Sequence, residues 1–246
     1  MSGGNYSKFV MPVIRVCFPF IALYAISMFV YPWFEGDWTH VQNVWERWQA
    51  LNVGLLAFAS SIIAFSIAQR ENEKQRNRQF IAARAFLPQA LSELCTYSSR
   101  CAELLQSHNP TEGRATSAKV PTPALPVDYR EIFSQCIRYS DPIVADALAK
   151  ILADLQVLHA RLDSLSNPGA TMSITFREGN WKVYVYSLGN LRARINKLFD
   201  FARGKAGFDS SLLSWEELKN AYFNLDFHHD LDELEDFSKR QLRRGD

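Results

Sequence analysis

The sequence predicts an all-α protein with two transmembrane helices followed by a cytoplasmic helical bundle. Residues 16–33 and 49–69 are uncharged and about 20 residues long, the length of a membrane-crossing helix. Three later segments repeat apolar residues at spacings of three and four, the period of an amphipathic helix. The chain has 246 residues and a formal net charge of +1, so it has room for a membrane anchor and one domain of ordinary size.

The N-terminal part is predicted to be a polar tail (1–8), a first transmembrane helix (9–33) and a periplasmic loop (34–48). A cleaved signal peptide is the competing interpretation of the basic, apolar start. Against it, the apolar run ends in Tyr31-Pro32-Trp33 without a convincing small-residue cleavage site. Indole rings gather at the headgroup level of membranes. The loop and its borders carry four of them, at Trp33, Trp38, Trp45 and Trp48.

The second predicted span (49–69) continues into a basic segment with no Gly or Pro between the two. We therefore expect one helix to leave the membrane and to open a cytoplasmic helical domain (70–246). Only Arg47 is basic in the loop, whereas five cations follow the span: Arg70, Lys74, Arg76, Arg78 and Arg84. Because basic residues accumulate on the cytoplasmic side, both termini are predicted to be cytoplasmic. The chain is then a multi-pass protein of the bacterial inner membrane.

Small residues recur along one side of the second span at spacings of four and three. This small-residue stripe is Ala50, Gly54, Ala57, Ser61, Ala64 and Ala68. Small residues let helix backbones approach closely in lipid, where packing drives association. Two interpretations stay open: packing against the chain's own first span, and association of several copies around an axis.

The cytoplasmic domain is predicted to be a bundle built on three apolar seams. The first seam is Phe80, Ala83, Leu87, Ala90, Leu94, Tyr97, Cys101 and Leu104. The second is Val144, Leu148, Ile151, Leu155, Leu158, Leu162 and Leu165, on a helix that starts at Pro142. The third is Trp181, Tyr184, Leu188, Leu191, Ile195, Leu198 and Ala202.

Shorter elements are predicted from local signals. Residues 129–139 form a short helix with Asp128 as its cap, and 171–176 form a small extended piece. Ser214 and Glu217 have the spacing of a capping box, which opens a helix that runs to about Phe227.

The sequence predicts no enzyme and no cofactor, because it has no phosphate-binding glycine loop, no HExxH and no GxSxG. His228 and His229, with nearby acids, are interpreted as the solvated start of an acidic helix rather than a metal site. The four cysteines are interpreted as free, packed thiols. One basic cluster has two readings, a solvated helix face or a contact for an acidic protein or a nucleic acid held by a partner. It consists of Arg192, Arg194, Lys197, Arg203 and Lys205.

The passage around the second span resembles a widespread bacterial group of two-span membrane proteins. The matching residues are Trp48, Gln69, Ala82, Ala83, Arg84, Ala85, Leu87, Pro88, Ala90, Leu91, Ser92 and Leu94. Some of these proteins look like the transmembrane effectors of retron anti-phage systems. The resemblance implies abortive infection: a reverse transcriptase with its RNA-linked DNA restrains the effector, and release lets the effector damage the inner membrane. The alternative function is a membrane-anchored helical scaffold or regulator without pore activity.

Overall fold

The computed structural model describes residues 15, 18–19, 22–24, 26–108, 121–166 and 178–244, and every regular element in this part is helical. The elements are a π-helical turn (Ile26–Val30), α1 (Tyr31–Glu35), α2 (Trp38–Arg47), α3 (Gln49–Ser107), α4 (Tyr129–Tyr139), α5 (Pro142–Ser166), α6 (Glu178–Ala202), α7 (Trp215–Asn224), a 3-10 turn (His228–Asp230) and α8 (Leu231–Arg244). The all-α prediction is confirmed for the described residues. The predicted tail (1–8) and the extended piece (171–176) lie outside them.

The chain forms two compact units, Met1–Asn72 and Glu73–Asp246. In the first unit, two hydrogen bonds join residues far apart in sequence. The Tyr24 hydroxyl donates to Oδ1 of Asn52 on α3. The Trp45 indole donates to the Met28 carbonyl over 3.0 Å. Pro32 has no N–H to offer that carbonyl, four residues earlier, so the indole supplies a donor that the helix lacks.

Helix α3 is 59 residues long, which confirms the predicted continuity across the end of the apolar segment, and it continues through Pro88. From Ala83 onwards it buries the predicted first seam: Ala83, Leu87, Ala90, Leu94, Tyr97, Cys101 and Leu104 are core residues, and Phe80 packs against them. Pro88 removes the amide that would bond the Arg84 carbonyl. Its neighbours Leu87, Ala90 and Leu91 are fully buried, so tertiary packing holds the helix at this point.

Helix α6 is the central helix of the second unit. Between Trp181 and Asp200, Val183 and Asp200 are its exposed residues. The Trp181 indole donates to the Leu105 carbonyl of α3 over 3.1 Å, and the Tyr186 ring meets Phe237 of α8 edge-on. The predicted third seam is buried except for Tyr184, which is half-buried. The prediction of a single seam was too narrow, because α6 packs against neighbours around most of its circumference.

One predicted helix end is confirmed, and two others differ from the prediction. The capping box is confirmed: the Ser214 side chain accepts from the Glu217 amide, and the Glu217 carboxylate accepts from the Ser214 amide. Asp128 stands at the N-cap position of α4, as predicted, but it has helical dihedrals and its side chain makes no capping bond. Helix α7 ends at Asn224, short of the predicted Phe227, because Asp226 has a φ of 62°.

A Schellman motif explains the end of α7. The Phe227 amide donates to the Tyr222 carbonyl over 3.0 Å, and the Asp226 amide donates to the Phe223 carbonyl over 3.2 Å. The end of α6 has the same pair of bonds, around Gly204 with a φ of 71°. Glycine adopts this left-handed conformation easily, whereas an aspartate there is uncommon. The sequence therefore indicates the end of α6 at Gly204 more clearly than the end of α7 at Asp226.

Helices α6 and α7 approach closely at Gly189. A Cβ at this position would overlap Cε1 of Tyr222 and lie 2.9 Å from its Cδ1. The ring cannot swing away easily, because Tyr222 is fully buried and its hydroxyl bonds Ser238 of α8 at 2.8 Å. Gly189 therefore sets the spacing of three helices.

We expect Gly189→Ala to destabilise the second unit by about 1–3 kcal/mol through overpacking. Thermal unfolding of the full chain, followed by circular dichroism, should show a midpoint lower by about 2–10 °C. Gly207→Ala is the matched control, since a Cβ there meets nothing within 4 Å. Equal midpoints for the two variants would contradict the close approach at Gly189.

Candidate functional site

The apolar half of α3 is exposed. An 18-residue window of this helix has a mean hydropathy of 2.0, and none of its residues is buried. Nine large apolar side chains of this segment are exposed: Leu51, Val53, Leu55, Leu56, Phe58, Ile62, Ile63, Phe65 and Ile67. Among the described residues, α3 is the one helix long and apolar enough to cross a membrane.

Four polar side chains of this apolar segment form hydrogen bonds within the first unit. The hydroxyls of Ser60, Ser61 and Ser66 donate to backbone carbonyls four residues earlier, each over 2.8 Å. Asn52 accepts from Tyr24. An apolar solvent penalises unsatisfied polar groups heavily, and these bonds reduce that penalty.

All six residues of the small-residue stripe are exposed. A Cβ added to Gly54 would meet no described atom within 4 Å. Because a helix turns by about 100° per residue, Asn52 lies on the side opposite the stripe. The contact with Tyr24 therefore lies away from the stripe.

The aromatic residues near the turn between the two apolar segments are also exposed. Trp33, Trp38, Trp45 and Trp48 are each between 42% and 60% exposed. The rings of Trp33 and Trp38 lie 5.6 Å apart. Their indoles are therefore available to an interface between apolar and aqueous surroundings.

The cations that follow the apolar segment have different surroundings. Arg76 lies 3.7 Å from Asp141, and both side chains are well exposed. Arg84 lies over the rings of Phe80 and Phe201, 5.7 Å from each centroid, and near Gly204. Arg84 is thus a packing residue of the bundle, which gives a structural role to one residue of the motif on which the family resemblance is based.

The predicted basic cluster is divided by the fold. Arg192 donates to the Cys95 carbonyl of α3 over 2.8 Å, and Arg194 lies 3.9 Å from Asp154 of α5. Lys197 is 13% exposed, and its Nζ contacts Asp209 in the turn that follows α6. Arg203 lies 5.0 Å from the Phe199 ring centroid, and Lys205 is exposed.

Lys197 holds that turn through four oxygen atoms. Its Nζ donates to the carbonyl and hydroxyl of Ser211 over 2.8 and 2.6 Å, and lies 3.1 Å from Asp209 and 3.4 Å from Glu217. The backbone amide of Ser211 also donates to Asp209 over 2.9 Å. Hydrogen bonds from Ser211, followed by Lys197, lower the pKa of the Asp209 carboxyl to about 2.

The buried thiols are packing groups. Cys95, Cys101 and Cys136 are free, as predicted, and Cys17 lies outside the described residues. Burial raises the pKa of the Cys101 thiol to about 12 and that of Cys136 to about 11. Such thiols are poor nucleophiles and poor metal ligands at neutral pH.

His159 and His228 have side-chain partners within the fold. The Tyr97 hydroxyl lies 3.0 Å from Nδ1 of His159, and His228 Nδ1 lies 3.0 Å from Asp226. The described residues contain no group of three or more His, Cys, Asp or Glu arranged to hold a metal ion.

No protein-family model, no curated protein and no solved structure matches this chain. Two features go beyond internal packing: the exposed apolar half of α3, and a groove beside α5 and α6.

The sequence interpretation missed this groove. It used the buried seam of α5 but overlooked a second row one residue before it, at Ile143, Ala147, Lys150, Asp154, Val157 and Arg161. The row has the same spacing of four and three, and it mixes aliphatic residues with cations. That mixture of aliphatic residues and cations was the sequence feature that indicated a binding surface, because a solvated helix face would need no aliphatic residues.

We expect acid to release the turn that Lys197 holds. The pKa of Asp209 is lowered in the fold, so its contribution is present above about pH 4 and is lost as the pH falls towards about 2. Hydrogen exchange of the Ser211 amide, corrected for its intrinsic pH dependence, should lose protection over this range. Asp209→Asn should remove the transition, and Asp128→Asn should retain it. Constant protection down to about pH 2 in the unsubstituted chain would refute this.

Proposed function

We propose that this chain is an inner-membrane effector of a retron-type anti-phage defence system. It causes abortive infection by disrupting membrane integrity when a partner's restraint is released. The partner that the family resemblance implies is a reverse transcriptase with its RNA-linked DNA.

The observation that carries the proposal is the exposure of the apolar half of α3. Keeping its nine large apolar side chains in water costs on the order of 10 kcal/mol, given their partial exposure. A whole domain is stable by only about 5–15 kcal/mol. This segment therefore needs an apolar environment. Residues 49–69 span about 31 Å as a helix, close to the thickness of a bilayer's hydrocarbon core.

Two further observations support a membrane location with cytoplasmic termini. Exposed indoles lie before the apolar half of α3, and exposed cations, among them Arg76, lie after it. Tryptophan prefers the membrane interface, and cations prefer the cytoplasmic side. The Tyr24–Asn52 bond joins the first apolar segment to α3, as expected of two antiparallel spans.

The small-residue stripe supports association between copies. Tyr24 of the first apolar segment contacts α3 at Asn52, on the side away from the stripe. An open stripe of small residues is suited to close contact with another helix in lipid. Helix α3 also provides the first core helix of the bundle. A partner bound to the bundle would favour one packing of the spans if its affinity for the two states differs.

The experiment is unrestrained expression of the chain with membrane potential and dye entry followed over time. We expect the unsubstituted chain to depolarise cells and admit dye. Gly54→Leu and Ala57→Leu should insert normally and be harmless, because leucine prevents close backbone contact. Ser66→Leu is the matched control: it adds the same bulk on the opposite side of the helix and should stay toxic.

Each alternative result has a definite meaning. Equal toxicity of all four proteins would remove the stripe from the mechanism. No depolarisation by the unsubstituted chain, at confirmed membrane levels, would exclude the effector and favour a membrane-anchored scaffold or regulator.

A further inference from the structure

Two adjoining cavities form one groove along α5 and α6. The first has a volume of about 260 Å³ and is closed at one side by the turn 208–213. The second has a volume of about 410 Å³ and reaches Phe237 of α8. Lys150 and Arg194 line both cavities, so the two are continuous. Residue numbers rise on α5 as they fall on α6, which shows that the groove runs between antiparallel helices.

Exposed aliphatic side chains are concentrated in this groove. The described part of the second unit has eight large exposed apolar residues: Ile81, Phe86, Val127, Ile143, Val157, Val183, Leu212 and Phe223. Four of them line the groove, namely Ile143, Val157, Val183 and Leu212. Leu212 is 83% exposed and Ile143 is 62% exposed. Apolar residues concentrated on one surface mark a binding site more often than scattered ones do.

The groove is also positively charged. Lys150 and Arg161 form no ion pair with any residue that the structure describes, and both are exposed. Arg194 adds a third cation, partly balanced by Asp154 at 3.9 Å. The Asp209 carboxylate already pairs with Lys197 and accepts a hydrogen bond from the Ser211 amide. Because Lys150 and Arg161 are not neutralised within the described fold, the groove favours a negatively charged ligand.

We propose that this groove binds an acidic amphipathic helix of a partner protein. From Ile143 to Arg161 the α5 row extends for about 27 Å, which matches a helix of about 18 residues. Such a helix would place its apolar row between Val157 and Val183 and its carboxylates beside Lys150 and Arg161. The aliphatic lining disfavours a nucleic acid, whose backbone is recognised by cations and polar groups. The groove is open to solvent along one side, which disfavours a lipid acyl chain because part of its apolar surface would stay in water.

This inference deepens the proposed function by giving the partner a place to bind. Assigning restraint to the bound helix rests on the proposed function, whereas binding itself does not. The experiment below measures binding alone. Its failure would remove the groove and leave the depolarisation experiment as an independent test of the effector.

The test uses the full chain in nanodiscs of neutral phosphatidylcholine and three fluorescent helical peptides of about 18 residues. The peptides share one leucine face and carry Glu, Lys or Gln elsewhere. Fluorescence anisotropy should show the Glu peptide binding at least about tenfold more tightly than the Lys peptide. Arg161→Glu should weaken the Glu peptide about tenfold, Arg161→Gln should weaken it less, and Val157→Ser should weaken all three peptides.

Matched controls lie outside the groove. Phe223→Ser changes an apolar residue as exposed as Val157, and Lys205→Glu reverses an exposed cation. Both should bind the Glu peptide like the unsubstituted chain, and circular dichroism should show all variants folded. Equal affinity for the three peptides, no binding up to about 1 mM, or binding that ignores the groove substitutions would overturn the proposal. So would groove-dependent binding of anionic vesicles, an oligonucleotide or a second copy in place of the Glu peptide.

Discussion

The exposed apolar surface of α3 is the constraint on which the rest of the structure depends. An uncharged helix of this length has no compensation in water, but in a bilayer it satisfies its own backbone and buries its side chains in lipid. The surrounding features are compatible with that environment: the serines bond carbonyls of their own helix, and Asn52 accepts from Tyr24. Because α3 continues to Ser107, the same helix begins the core of the bundle.

The second unit is organised around α6. Gly189 lets Tyr222 approach α6, and Trp181 supplies a donor to the last turn of α3. Two α6 cations already have partners within the fold, since Arg192 donates to the backbone of α3 and Lys197 donates to the turn after α6. Lys150 and Arg161 of α5 form no ion pair with any described residue, and they lie beside exposed aliphatic residues. The groove that we propose as a binding surface is therefore lined by α5 as well as by α6, the helix with more basic residues.

How much the sequence could predict depends on whether the determining interactions were local. The seams of α3 and α5 and the Ser214 capping box follow from spacing along one helix, and all were predicted. The burial of α6 and the groove arise where helices meet, and the left-handed Asp226 stands where a glycine would have been the usual signal. For the candidate site, the stripe was visible because its period is regular. The partition of the basic cluster was not, because Arg192 and Lys197 find their partners on distant segments.

Site-directed spin labelling would test the membrane assignment most directly. Single nitroxides placed along residues 49–78 of the full chain in bilayers would be compared for contact with oxygen and with a polar nickel complex. The account predicts high oxygen and low nickel accessibility over 49–69, and a rise in nickel accessibility within about one turn after Arg70. High nickel accessibility throughout 49–69 would contradict it, because the apolar half of α3 would then lie in water.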